Sequence, residues 1–199
     1  MHFDPGNVYH LYNRGNERQK IFFNRENYLF FLKKVKKEWL PYTDILTYCL
    51  MPNHFHFMIS PNCDACKRVV LKGCKTHLQC LSKTIGKTLS SYTQAVNIQF
   101  QKTGNLFQKK TNAKLLSHLN VENTTQALIN CGSYIHSNPI EARLVKNSFD
   151  WEFSLLRDYA GLRNGTLCNK QLYLELTGLS NVDFYNPKIL SEEEVEDLF

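Results

Sequence analysis

Two strand-like runs, residues 44–51 and 54–60, are separated by only Pro52 and Asn53. So short a connection permits only a tight reversal, and the two runs are expected to form an antiparallel hairpin. The hairpin fixes the faces of its second strand. Side chains alternate along a strand, so His54 and His56 project together about 7 Å apart, while Phe55 and Phe57 turn the other way, into a core.

Helices are expected to supply the rest of that core. Residues 26–40 carry Leu29, Phe30, Leu32, Val35 and Trp39 as a helical stripe, closed by Pro41. Residues 69–101 read as one long polar and basic helix with Leu78, Leu81, Ile85, Leu89 and Tyr92 at helical spacing. Residues 8–13 read as a strand stopped at Arg14-Gly15-Asn16, and residues 106–116 hold another short strand. Asn123 is placed to cap a helix that runs to about Ser137 and ends at Asn138-Pro139. The order β-α-β-β-α-β predicts an α+β fold, a ferredoxin-like antiparallel sheet with its helices on one face. The expected division is a main domain over residues 1–160 and a C-terminal extension with an acidic tail over 161–199.

Composition narrows the setting. A chain of 199 residues fits one domain with a small appendage. No apolar run approaches the roughly 18 residues of a membrane span. The start lacks the apolar core of an export signal, and seven irregularly spaced cysteines suit a reducing compartment, so a cytoplasmic location is expected. From Thr177 onward six acids face one base; the remainder carries 23 bases against 12 acids, a net +11 within an overall +6. A body that basic favours a polyanionic partner.

Two local patterns carry chemistry. Two imidazoles side by side on a strand can close on one divalent metal, although a solvated pair on an open sheet face is the favoured reading of His-x-His alone. In Ser133-Tyr134-Ile135-His136-Ser137-Asn138-Pro139, Tyr134 and Asn138 share a helical face with Cβ atoms roughly 6 Å apart. That puts a phenol beside an amide oxygen able to coordinate a hard cation. Leu128, Cys131 and Ile135 form the buried stripe, and a Tyr134 that merely packs at its edge beside a helix-ending Asn138 is the plainer alternative.

Together these motifs resemble the HUH single-tyrosine transposases, and among them the REP-associated tyrosine transposases and their insertion-sequence relatives. Met51-Pro52-Asn53-His54-Phe55-His56 and the helix from Tyr134 through Asn138-Pro139-Ile140 carry the likeness. Tyr9 to Gly15, Ser90 to Thr93, Gly104 to Lys110 and Asp150 to Ser154 extend it in the same order. The stretch between the two motifs is longer here than in short family members, chiefly over residues 63–87. The resemblance implies that His54 and His56 are metal ligands, Asn138 a third, polar ligand, and Tyr134 the nucleophile. It further implies a divalent cofactor, Mg2+ or Mn2+, with two imidazoles leaning toward manganese. The implied reaction is cleavage and rejoining of single-stranded DNA, hairpin-containing, through a 5′-phosphotyrosine link. Monomer and homodimer both stay open.

Arg14, Lys109, Lys110 and Lys114 are candidate phosphate contacts, although a solvated basic face accounts for the lysines as well. Cys63 and Cys66, followed by Cys74, His77 and Cys80, invite a structural zinc reading, but the second half lacks paired spacing. The rival readings are a non-catalytic nucleic-acid-binding regulator on the same fold and a zinc-dependent interaction protein.

Overall fold

A computed structural model describes residues 1–70, 77–117 and 121–185. The strands and helices are β1 (Tyr9–Arg14), α1 (Arg25–Trp39), β2 (Thr43–Met51), β3 (His54–Pro61), α2 (Cys63–Cys66), β4 (Arg68–Val70), β5 (His77–Gln79), α3 (Cys80–Gln99), β6 (Asn112–Leu115), α4 (Val121–Glu141), α5 (Leu156–Tyr159) and α6 (Lys170–Thr177). The expected hairpin is present: β2 and β3 pair antiparallel from Thr43 opposite Pro61 to Met51 opposite His54. With β1 and β6 they form one antiparallel sheet in the order β2-β3-β1-β6. The first and third strands of the β-α-β-β-α-β unit are thus central, which is the ferredoxin-like arrangement.

The aromatic face of β3 is covered by α1 and α3. The Trp39 ring meets Phe57 edge-on at 5.1 Å, and Phe31 lies 5.5 Å from Phe55. Asn24 caps α1 by accepting from the Asn27 amide. The buried set on α1 is Tyr28, Phe31, Val35 and Trp39 together with Asn27, whereas Leu29 and Phe30 of the expected stripe are exposed. Tyr28 displaces them because its ring stacks on Phe22 at 4.3 Å and Phe153 at 3.9 Å. On α3, Leu81, Ile85, Leu89 and Tyr92 are buried as the spacing predicts.

Two helix boundaries differ from expectation. The segment expected to start a long helix at Val69 is instead the ribbon β4–β5, and α3 begins only at Cys80. Val69 and Val70 are β-branched and favour an extended chain. The Gln79 side chain is occupied by the N-terminal strap, accepting from Phe3 N and donating to Phe3 O, both at 2.7 Å. Consequently His77 and Cys80 do not share a helix, and Cys74 lies outside the described residues, as does the tail beyond Tyr185. Helix α4 starts at Val121, two residues ahead of Asn123, and runs through Pro139 to Glu141 instead of stopping there. Proline costs this helix one amide donor, but the chain beyond stays tied, with Ala142 N donating to Asn138 O and Leu144 N to Pro139 O.

α4 lies on the other face of the sheet, outside the β-α-β-β-α-β unit, with Leu128, Cys131 and Ile135 fully buried. Its anchor is His136. Nε2 lies 2.9 Å from Thr47 Oγ1 on β2, and Nδ1 lies 2.8 Å from Ser154 Oγ. Residues past 160 pack on this layer: the Tyr173 hydroxyl donates to Leu128 O, and Phe184 stacks on Tyr159 at 4.5 Å. Gly132 permits that approach, since a Cβ there would collide with the Tyr173 hydroxyl. Among the described residues no helix is long and apolar enough to cross a membrane.

Burial pushes His136 down to about 3, against an ordinary 6.5, so the folded ring is neutral. The unfolded chain binds a proton there near pH 6.5 and the folded one only near pH 3, so the stability tied to this ring is greatest above 6.5 and falls as pH drops through that window. His136→Phe should lower unfolding free energy at pH 7.5 by about 2–4 kcal/mol, because Thr47 and Ser154 lose a buried partner. It should also lose about 2 kcal/mol less than wild type between pH 7.5 and 5 in urea titrations.

Candidate active site

Four side chains from two elements converge beside the α4-covered face. β3 presents His54 and His56 on that face, their rings 5.0 Å apart and nearly perpendicular. α4 presents Tyr134 and Asn138 one turn apart. His54 Nε2 lies 3.2 Å from Asn138 Oδ1, the Tyr134 hydroxyl lies 3.5 Å from the same oxygen, and the Tyr134 ring stands edge-on to His56 at 5.4 Å. His54, His56 and Tyr134 line a cavity of about 210 Å³ together with Tyr12, Asn13, Arg14, Gln108 and Asn112. Arg14 is exposed at the end of β1 and is the charged member of that lining.

The hydrogen-bonding pattern bears on whether a cation fits. Burial keeps both histidines below their ordinary pKa, His56 well below, so each ring is neutral with one N–H. His54 faces acceptors through both nitrogens, Nδ1 at 2.6 Å from Asn53 Oδ1 and Nε2 at 3.2 Å from Asn138 Oδ1, and the shorter contact assigns the proton to Nδ1. Asn138 is oriented by its own amide nitrogen, which donates to Tyr134 O at 2.6 Å. His54 Nε2 and Asn138 Oδ1 thus face each other at 3.2 Å as two acceptors, an arrangement a cation between them would relieve. His56 Nε2 is buried and has no hydrogen-bond partner among the described residues, which is the condition of an imidazole nitrogen awaiting a ligand. The donor set of two imidazoles and one amide fits a divalent ion. Among the described residues no group of three or more His, Cys, Asp or Glu side chains is arranged to hold a metal.

Tyr134 is half-buried, and burial raises its hydroxyl to about 12, with the hydrogen bond to Asn138 and then Arg14 pulling the other way. At neutral pH only about one phenol in 10⁵ would be ionised. Tyr92 and Tyr159, the other tyrosines weighed, are buried with their hydroxyls donating to Ile21 O and Leu46 O.

Of the basic residues singled out from the sequence, only Arg14 lines this cavity. Lys109 borders a recess between α3 and residues 104–111, and Lys110 and Lys114 border another beside Tyr12 and Asn112. Both recesses share residues with the cavity, Asn13 and Gln108 in one case and Tyr12 and Asn112 in the other. Sequence reasoning assigned no role to His10, Tyr12 or Asn53. His10 is fully buried on the histidine face, its Nε2 2.9 Å from His56 Nδ1 and its ring stacked on His56 at 5.0 Å. The alternation of Tyr9-His10-Leu11-Tyr12 did hold a signal: His10 and Tyr12 share one face, and the strand pairing puts Tyr12 opposite His56.

No family model matches the chain, and no curated protein does. Among solved structures it is similar to the REP-associated tyrosine transposase bound to a REP hairpin, with a TM-score of 0.55 and 16% identity over 85% of this chain and 92% of that one. Two structures of a bacterial tRNA(His) guanylyltransferase (Thg1)-like protein, with GTP and with ATP, align at TM-scores of 0.41 and 0.39 and 9% identity. They span 75% and 76% of this chain and 72% and 69% of theirs. At such identity the likeness is one of fold: this chain has the α+β architecture of a REP-associated tyrosine transposase, the family its motifs resemble.

Proposed function

We propose that the protein is a tyrosine transposase that cleaves and rejoins single-stranded DNA at this cavity. The observation that carries the reading is that the Tyr134 hydroxyl and His54 Nε2 both approach Asn138 Oδ1, with the His56 ring 5.4 Å from Tyr134, beside the cavity that the two histidines and Tyr134 line. The likeness to a transposase bound to a REP hairpin supports a hairpin-containing DNA partner.

In this reading Tyr134 is the nucleophile. Its oxygen forms a bond to the scissile phosphorus while the bond to the 3′-oxygen breaks; the phenol proton is released and the departing oxygen takes one up. The product is a 5′-phosphotyrosine, which keeps the phosphodiester's energy, so a second 3′-hydroxyl can reverse the step on another strand. His54, His56 and Asn138 would hold a divalent cation, which when bound supplies a Lewis acid for the scissile phosphate. Docking α4 against β3 fixes the phenol relative to that phosphate, and positioning of this kind lowers a barrier that a phenol near pKa 12 would otherwise face. Arg14 sits where a phosphate of the same strand would pass. Residues 1–160 would form the catalytic unit, and 161–199 an extension.

Covalent capture tests the reading. With Mn2+ or Mg2+ and labelled single-stranded hairpin DNA from the gene's flanks, a denaturing gel should show a protein–DNA adduct. EDTA should remove it, and Tyr134→Phe should abolish it without weakening DNA binding. DNA binding that is intact while no flank gives an adduct would favour the non-catalytic regulator instead. Arg14→Ala should weaken binding to all sequences alike and flatten the salt dependence by about one unit of slope, as loss of one phosphate contact does.

A further inference from the structure

The two histidines differ from solvated imidazoles in one respect: each has its Nδ1 engaged by a neighbour while its Nε2 is left without a donor. We infer that Asn53 and His10 are positioning residues that hold His54 and His56 in the tautomers whose Nε2 lone pairs open onto the cavity. The inference rests on the metal reading above and adds two residues to it.

For His54 the assignment follows from the partners. Asn53 donates through its amide nitrogen to Arg18 O at 3.3 Å, which turns its oxygen toward His54 Nδ1. The turn that carries Asn53 is itself tied down, with Asn53 O accepting from Gly15 N and Pro52 O accepting from Ile21 N and Phe22 N. An oxygen so fixed can only accept; Asn138 Oδ1 also accepts but lies farther from Nε2, at 3.2 Å against 2.6 Å, and the shorter contact assigns the proton of His54 to Nδ1.

For His56 the reasoning turns on a bond between two imidazoles, which needs one N–H and one lone pair. If His10 Nε2 donated, the proton of His56 would sit on Nε2 and close that atom to a cation. If His56 Nδ1 donates, Nε2 is open and His10 carries its own proton on Nδ1. His10 Nδ1 is buried without a partner among the described residues in both arrangements, so this bond can adapt, and ligation by His56 selects the second. The stacked rings at 5.0 Å also fix the plane of His56. An outer partner of this type commonly contributes 10–100-fold to metal affinity.

The test is Mn2+ binding to the full chain without DNA, read from the electron paramagnetic resonance signal of the free ion. His10→Gln keeps an acceptor beside His56 Nδ1 and should bind Mn2+ within about threefold of wild type, whereas His10→Phe should bind about 10–100-fold more weakly. Circular dichroism and unfolding in EDTA establish that both variants are folded. Asn53→Ala should show the same loss through His54, and Asn53→Asp, which keeps the acceptor, should bind no more weakly than wild type. The Asn53 pair decides the matter if His10→Phe does not fold, since Asn53 lies in a half-buried turn. Wild-type affinity in His10→Phe and Asn53→Ala would overturn the inference and leave the metal reading standing. Equal losses in His10→Gln and His10→Phe, with no rescue by Asn53→Asp, would reduce both residues to packing. A wild-type protein that binds no Mn2+ would overturn the metal reading, and the inference with it.

Discussion

A neutral imidazole in a dry interface holds the second layer of this molecule in place. The sheet has two faces, and the face bearing the site is covered by α4, whose polar anchor is His136 between Thr47 and Ser154. A buried imidazole can donate through one nitrogen and accept through the other, so it joins two hydroxyls from separate segments without leaving a charge to be solvated. Tyr134 lies two residues before this anchor and Asn138 two after. The ring that fastens the helix therefore also fixes the rotation at which both present themselves to β3.

The site combines two periodicities. Strand spacing puts His54 and His56 side by side, and helical spacing does the same for Tyr134 and Asn138. Neither pair can reach the other's atoms within its own element; the distance of 3.2 Å between His54 and Asn138 spans 84 residues of sequence. β1, paired against β3, supplies His10, Tyr12 and Arg14. The cavity is accordingly a product of tertiary packing, although each half is encoded locally.

That division explains what could be read in advance. The hairpin, the faces of β3, the buried stripe of α4 and the ferredoxin-like order follow from alternation, turn chemistry and element order, all local signals. The start of α3 did not, because the helical spacing of Leu78 and Leu81 continued backward into a segment that the Gln79–Phe3 amide pair holds extended, and that pair links residues 76 apart. The passage of α4 through Pro139 was hidden by a local rule that tertiary contacts override. Leu29 and Phe30 were misplaced because hydrophobicity alone ranks leucine and phenylalanine above Tyr28, while the aromatic neighbours Phe22 and Phe153 select the tyrosine. His10 had a legible face but no legible partner, since strand register is not written in either strand alone.

Gly132 ties the history of two distant positions together. The Tyr173 hydroxyl occupies the space where any other residue at 132 would place its first carbon, and it uses that proximity to bond Leu128 O. A larger residue at 132 becomes acceptable only in a chain that has already exchanged Tyr173 for something shorter. In a set of homologous chains the two sites should change together, with the bulk of one traded against the bulk of the other, and the contact between α4 and α6 could be recognised from that exchange.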